Sequence, residues 1–374
     1  MLESILAETP VVIPYDTFPK QDVVLYGGGR LGQMAVRLLQ QAGVRVTLVI
    51  DRNAEQLQHQ LTVPVQSPDE ALPTLPRDTF LFNCVFKETP GQMETLLRGM
   101  GFMHVYTVYD LFYAIPPMHF TNGWHSGVLS AEDHSMIRQV YAALSDDASR
   151  EAYRHFLLWR IARKALPESE ALLIPEEKKY FNSLTTLPLL LDATLLDVGA
   201  FDLFFTVQAL NKTYNPYRPA SIIAMEPDPE SYARCVALLD TLPERERECI
   251  TLSPRAISDI VGEAAMHTGS DLASRLVEGG KERVQTTTLD ALGRKYEAIR
   301  YIKLHVEGAE LPALKGGVDC ITRHRPIVVA NCAHTREGLW EIARFLMQHT
   351  EGYQYYFRAY ANYGEGLSFY AVPA

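Results

Sequence analysis

An α/β fold, with two Rossmann-like parallel-sheet units joined by a helical segment, is what this sequence predicts, and three observations predict it. Two glycine turns, Gly27-Gly28-Gly29-Arg30-Leu31-Gly32 and Val198-Gly199-Ala200-Phe201, each close a short apolar run. About twenty residues after each turn, a second apolar run ends on an acid, Asp51 in the first case and Glu226 in the second. Around both, apolar runs of strand length alternate with segments of helical spacing, the pattern of parallel strands linked by crossover helices.

At 374 residues the chain exceeds one ordinary domain. Composition and pattern divide it into a nucleotide-binding-type unit over 1–115, a helical connector over 116–185 and a second α/β unit over 186–374. An apolar fraction of 47% with 10% aromatics supplies well-formed cores. The formal charge of -10 and the lack of a basic face argue against a nucleic-acid partner, because phosphate contacts need clustered cations. Cys84, Cys235, Cys249, Cys320 and Cys332 are scattered without CxxC spacing, which fits reduced thiols in a cytoplasmic protein rather than a disulfide framework or zinc site. The stretch Met1 to Pro10 carries acids where a signal peptide carries bases, and no apolar run has the length of a membrane span.

Taken in order, Val23–Tyr26 reads as a strand, Met34–Gln41 as a helix closed by Gly43, and Val44–Ile50 as a second strand ending on Asp51. Gly27, Gly29 and Gly32 fit GxGxxG in its expected context, so these glycines and Asp51 form a candidate second nucleotide site. Two readings stay open: a bound nicotinamide nucleotide or nucleotide sugar, or glycines that only let a helix pack tightly on a strand. Ser67-Pro68-Asp69-Glu70 is a helix start with a capping box. Thr79–Val85 and His104–Val108 read as further buried strands, with a helix from about Gln92 between them.

Composition changes near Ile115-Pro116-Pro117, where Met118 to Gly127 forms a loop rich in His, Asn, Gly and Trp, a candidate acceptor-site wall. Ser130 to Lys164 has helical spacing, with Ile137, Val140, Tyr141 and Leu144 on one face. His119, His125 and His134 match no common ligand spacing, and no metal site is expected. The second unit has strands at Leu195–Val198, Ile222–Met225, Ile250–Leu252, Tyr301–Val306 and Ile327–Val329, with helices at Ser231–Leu239, Leu311–Leu314 and Leu339–Gln348. Two aromatic-rich strands, Gln354–Arg358 and Leu367–Val372, close it as a hairpin across Ala361 to Gly366.

In the second unit the turn at Gly199 and Ala200 brings backbone N–H groups to a ligand, and Glu226 accepts from both hydroxyls of a ribose. No Lys follows the turn as in a P-loop, and Asp197 before it suits a cation such as the sulfonium of S-adenosylmethionine. In Lys303-Leu304-His305-Val306-Glu307, strand alternation sends Lys303, His305 and Glu307 to one side. Those three are the catalytic candidates. His305 has the best intrinsic pKa for a general base, or else it hydrogen-bonds Glu307 and shapes the pocket. Glu307 and Glu310 orient His305, grip an acceptor hydroxyl or cap the next helix, and His334 faces the same cleft from the following strand.

Several motifs recur in a fixed order: Asp197 to Ala200, Glu226-Pro227-Asp228-Pro229, Ala256 to Asp259 with Gly262 to Ala264, Thr288 to Asp290, Tyr301 to Glu310, Leu314-Lys315-Gly316 and Arg325-Pro326. The series resembles the FkbM-type S-adenosylmethionine-dependent methyltransferases, over roughly the last half of the chain. The resemblance implies a class I methyltransferase sheet with a closing antiparallel hairpin and a soluble enzyme that methylates a hydroxyl of a sugar, glycan precursor or small metabolite. It implies that Asp197, Gly199, Ala200 and Glu226 hold the cofactor and that the turn around Ala256 to Asp259, Ser258 included, lies near its adenine. The chain departs from the family pattern where His305 replaces the usual Asp, Leu203 the usual second Gly, and Phe201 a common Asn or Tyr. A leucine at 203 is expected to crowd the cofactor's methionine end. Other readings are a non-catalytic nucleotide-sugar binding module with a degenerate methyltransferase unit, and an NAD-dependent oxidoreductase using the first unit. The sequence leaves homo-oligomerisation open.

Overall fold

A computed structural model describes residues 2–11, 15–85, 90–115, 126–164, 172–185, 192–211, 219–267, 275–276, 279–280, 282–361 and 366–374. The loop expected from Met118, with His119 and His125, lies outside these residues except for Ser126 and Gly127, as do the start of the second unit before 192 and most of the hairpin connection.

Five strands, β1 (Val23–Tyr26), β2 (Val46–Ile50), β3 (Val65–Gln66), β4 (Phe80–Asn83) and β5 (His104–Thr107), form a wholly parallel sheet in the order β3-β2-β1-β4-β5. The continuous apolar runs of β1 and β2 are buried almost throughout, as strands covered on both faces must be. The capping box at Ser67 is present: its backbone N–H and its Oγ donate to Glu70 Oε2 at 3.1 and 2.8 Å. The helix Arg30–Gln41 begins four residues earlier than its apolar spacing suggests. Gly32 lets it sit against the turn, because a Cβ there would lie 2.0 Å from the Gly27 carbonyl oxygen.

The predicted single helical stretch is two helices, Ala131–Ala143 and Asp147–Ala162, broken where Leu144 becomes extended and Asp146 caps the second through Ser149 N–H at 2.8 Å. This second helix joins the two halves. Its Tyr153 stacks on Phe357 at 4.9 Å in the second sheet, while Trp159 is buried in the core of the first. Arg160, 1% exposed, donates to the carbonyls of Ala333 at 3.0 Å and Thr335 at 3.2 Å. Burial draws its pKa down to about 9, which still leaves it charged at neutral pH.

The second sheet has seven strands. They are β6 (Thr194–Val198), β7 (Ser221–Met225), β8 (Ile250–Ser253), β13 (Ile299–Leu304), β14 (Ile327–Asn331), β15 (Tyr353–Ala359) and β16 (Leu367–Pro373), in the order β15-β16-β14-β13-β6-β7-β8. β16 runs antiparallel to both β14 and β15, so the sheet is mixed and the closing hairpin is present. From β6 the chain fills one side with β7 and β8, then crosses to β13 and β14 on the other. The crevice between the carboxyl ends of β6 and β13 is therefore a topological switch point, where α/β sheets bind ligands. A small sheet that the sequence did not reveal, β9 (Ala256–Ile257), β10 (Gly262–His267), β11 (Arg275–Leu276) and β12 (Glu282–Thr287), stands beside that crevice.

In the first sheet, Asn83 is fully buried at the end of β4 and donates to Glu94 Oε1 at 2.9 Å. Burial raises the Glu94 carboxyl from 4.5 to about 7. The folded state therefore holds this proton more tightly than the unfolded one, and the cost of ionising it grows as pH rises from 4.5 through 7. Glu94→Gln is expected to stabilise the protein by about 2–3 kcal/mol at pH 8 and by little at pH 4.5, read by urea unfolding at the two pH values. Equal effects at both would place the carboxyl in contact with water.

Candidate active site

The switch-point crevice opens into a cavity of about 650 Å³ lined by residues of both glycine-turn regions. Gly199 sits at its floor with φ +78, and a Cβ there would lie 1.9 Å from the carbonyl oxygen of His305. Only glycine allows β6 to turn this close to the end of β13. The turn's amides do not face the ligand, contrary to the expectation from sequence. Gly199 and Ala200 N–H both donate to Met225 O at 2.9 Å, and Phe201 N–H donates to Glu226 Oε2 at 2.8 Å. Glu226 Oε1 also accepts from Asp228 N–H at 2.9 Å. Each carboxylate oxygen retains a second lone pair, and Glu226 lines the cavity, so a diol fits against it. Burial raises the Glu226 carboxyl above its usual range, against the lowering by those two amides.

Asp197 requires a correction: it is fully buried and does not line the cavity. Its oxygens accept from Lys303 Nζ at 2.9 Å and Thr206 Oγ1 at 2.7 Å. Lys303 also donates to the Gly199 carbonyl and itself lines the cavity, so Asp197 reaches the site only through this lysine. Ser258 likewise turns away, its Oγ donating to Asp259 Oδ1 at 3.0 Å, whereas Ala256 and Ile257 line the wall with Met266 and Leu276 of the small sheet. Leu203 does not crowd the cavity. Its backbone is left-handed at φ 59, and its side chain packs on Ala200, Ala224 and Cys235, fully buried and away from the lining.

Lys303, His305 and Glu307 all line the cavity, but strand alternation does not explain it. β13 ends at Leu304, and Glu307 has φ 50 in the turn that follows. That turn is shaped by Glu310, whose carboxylate accepts from Val306 N–H at 2.8 Å, Gly308 N–H at 3.0 Å and His334 Nδ1 at 2.7 Å. His305 Nδ1 lies 3.2 Å from the Tyr180 hydroxyl and Nε2 3.5 Å from Glu307 Oε1. His334 Nε2 lies 3.4 Å from the same Glu307 oxygen. Burial, reinforced by the charges of Lys179, His334 and Lys303, holds the His305 pKa well below 6.5. The ring is therefore neutral at pH 7, with a lone pair available. Burial alone would also lower His334, but the Glu307 and Glu310 carboxylates outweigh it and raise that ring to about 9.

The four residues of the candidate second nucleotide site are placed differently. Asp51 Oδ2 accepts from Gly28 N–H at 2.7 Å and Oδ1 from Asn53 N–H at 2.8 Å, and none of Gly27, Gly29, Gly32 and Asp51 lines the cavity. Their neighbour Arg30 does line it, a contribution of the first unit that the glycine pattern gave no means of anticipating.

An α/β protein with a mixed seven-stranded sheet and an acid-lined cavity at its switch point has a methyltransferase-like architecture. Residues 197–357 match the model of the methyltransferase FkbM domain family, and the chain carries an FkbM-type methyltransferase domain there. The fold of the whole chain is similar to the crystal structure of methyltransferase FkbM from Methylobacillus flagellatus KT, with a TM-score of 0.68 and 17% identity over 99% of this chain and 96% of that one. No curated protein matches the chain. No helix among the described residues is long and apolar enough to cross a membrane.

The Arg160 contacts tie the connecting helix to the 333–336 segment that carries His334. Arg160→Met is expected to lower unfolding stability by about 3 kcal/mol, measured by urea denaturation, because buried carbonyls lose a charged donor. A wild-type midpoint would show that this segment is held by other contacts.

Proposed function

We propose that the protein is an S-adenosylmethionine-dependent O-methyltransferase acting on a hydroxyl of a sugar, glycan precursor or small metabolite. The observation that carries this reading is Glu226, at the end of β7 and on the cavity wall, with lone pairs to spare after two backbone amides. The other lining residues suit the same molecule. Ile257, Met266 and Leu276 offer an apolar slot for a base, and Gly199 and Ala200 present a floor with no bulky side chain. When bound, the cofactor supplies a methyl group on a sulfonium, which the acceptor oxygen takes as the C–S electron pair returns to sulfur.

The chain's own part is alignment, exclusion of water and removal of the acceptor's proton. Lys303, neutralised by Asp197, fixes the Gly199 turn and closes the floor. Neutral His305, held by Tyr180 on one nitrogen, lines the cavity with Glu307 beside it and serves as the proton acceptor for the hydroxyl. The degenerate-module reading drew its support from Leu203, and a side chain buried away from the cavity removes that support.

Calorimetry tests the cofactor assignment. Wild type is expected to bind S-adenosylmethionine, and Glu226→Ala to bind it about 30–100-fold more weakly, the loss of charged hydrogen bonds to a diol. Equal binding by both removes the site. His305→Ala is expected to abolish methyl transfer while leaving cofactor affinity within about 2-fold, since general acid–base removal costs about 100-fold or more in rate. Retained turnover excludes His305 from the chemistry.

A further inference from the structure

We propose that His305, Glu307 and His334 form a binding site for a divalent first-row transition cation of the zinc class, at the acceptor end of the cavity. Its members come from the ends of two adjacent strands, β13 and β14, as their places in the sequence led one to expect. One nitrogen of each ring and one carboxylate oxygen lie within 4.8 Å of one another. Two of the edges are 3.5 Å, from His305 Nε2 to Glu307 Oε1, and 3.4 Å, from His334 Nε2 to the same oxygen. Bonds of roughly 2.1 Å at a tetrahedral angle put neighbouring ligand atoms about 3.4 Å apart, so these edges have the length a shared cation requires.

The surrounding groups are those of a metal centre. His334 Nδ1 is 2.7 Å from Glu310, a residue 1% exposed, and His305 Nδ1 faces the Tyr180 hydroxyl, so in both rings the far nitrogen is engaged and Nε2 is turned to the cluster. Carboxylate partners of this kind fix ring orientation in metal-binding histidines. Asn331 adds to the polarity: its Oδ1 accepts from Ala333 N–H at 2.7 Å, which directs its Nδ2–H group to within 3.4 Å of His305 Nε2 and marks that nitrogen as an acceptor. Glu307 and Glu310 together balance the charge of a dication. Two histidines and one carboxylate leave coordination positions open, and His305 and Glu307 turn that open side to the cavity.

The inference rests on the methyltransferase reading for its role, and it changes the part of His305: with Nε2 on the cation, the ring is a ligand and no longer the proton acceptor. An acceptor hydroxyl takes an open position, its pKa falls on coordination, and its proton passes to water at the cavity mouth. The O–C bond then forms as the C–S bond breaks, with that bond's electron pair kept by sulfur.

The test uses the full chain, stripped with EDTA and titrated with Co²⁺ by visible absorption and with Zn²⁺ by calorimetry, without S-adenosylmethionine. One equivalent with visible ligand-field bands is expected for wild type, and none for His334→Ala or Glu307→Gln. Glu310→Gln, which removes only a positioning residue, is expected to bind about 10–100-fold more weakly. Circular dichroism and S-adenosylmethionine affinity check that the variants are folded. Wild-type binding no tighter than that of Glu307→Gln overturns the site, leaving a protonated His334 bridging the two glutamates. Methyl transfer unchanged by EDTA overturns its role and leaves the methyltransferase reading intact. A protein that binds Co²⁺ but no S-adenosylmethionine does the reverse.

Discussion

The buried pair of Lys303 and Asp197 holds the rest of the site in place. In-register pairing of β13 with β6 sets these two residues side by side on neighbouring strands, where their charges meet at 2.9 Å. With the lysine 4% exposed and the aspartate fully buried, neither charge is tolerable alone, and removing one partner leaves the other uncompensated. The same ammonium clasps the Gly199 carbonyl. A single cation thus settles three things: the charge of β6, the path of the turn that leaves it, and the position of the strand that ends at His305. The close approach of Gly199 to the His305 carbonyl is possible only once this register is fixed.

Both sheets use one further device at their switch points. An acid at the end of the second strand accepts an amide from the turn after the first, Asp51 from Gly28 and Glu226 from Phe201. The acid organises the turn before any ligand arrives. What separates the two cases is where the acid faces. Glu226 faces the 650 Å³ cavity, whereas the Asp51 turn contributes only Arg30 to that cavity. A GxGxxG pattern in the right strand context therefore establishes the backbone geometry, and the neighbouring side chains decide whether anything is bound there.

This distinction explains what could be read from the sequence. Strand ends, the Ser67 capping box and the acids after each turn depend on residues a few positions apart or on a repeated strand-turn-helix spacing, and all are visible in the chain. Arg160 on the 333–336 carbonyls and Met266 with Leu276 at the cavity wall depend on contacts between distant segments, whereas His334 was expected in the same cleft as Glu307 because both follow neighbouring strands. Asp197 shows the same limit: its place before the glycine turn was legible, but its orientation was decided by a lysine more than a hundred residues later.

Leu203 shows how a departure from a family pattern can be structurally absorbed. A left-handed backbone at φ 59 is strained for a leucine, at a cost of about 1–2 kcal/mol that glycine would avoid. Full burial of a leucine side chain returns about 1.5–3 kcal/mol, and here the side chain is 0% exposed among Ala200, Ala224 and Cys235. The left-handed conformation itself directs it there, beneath the turn and away from the cavity. Leucine thus adds a hydrophobic anchor next to the turn whose Gly199 carbonyl Lys303 holds.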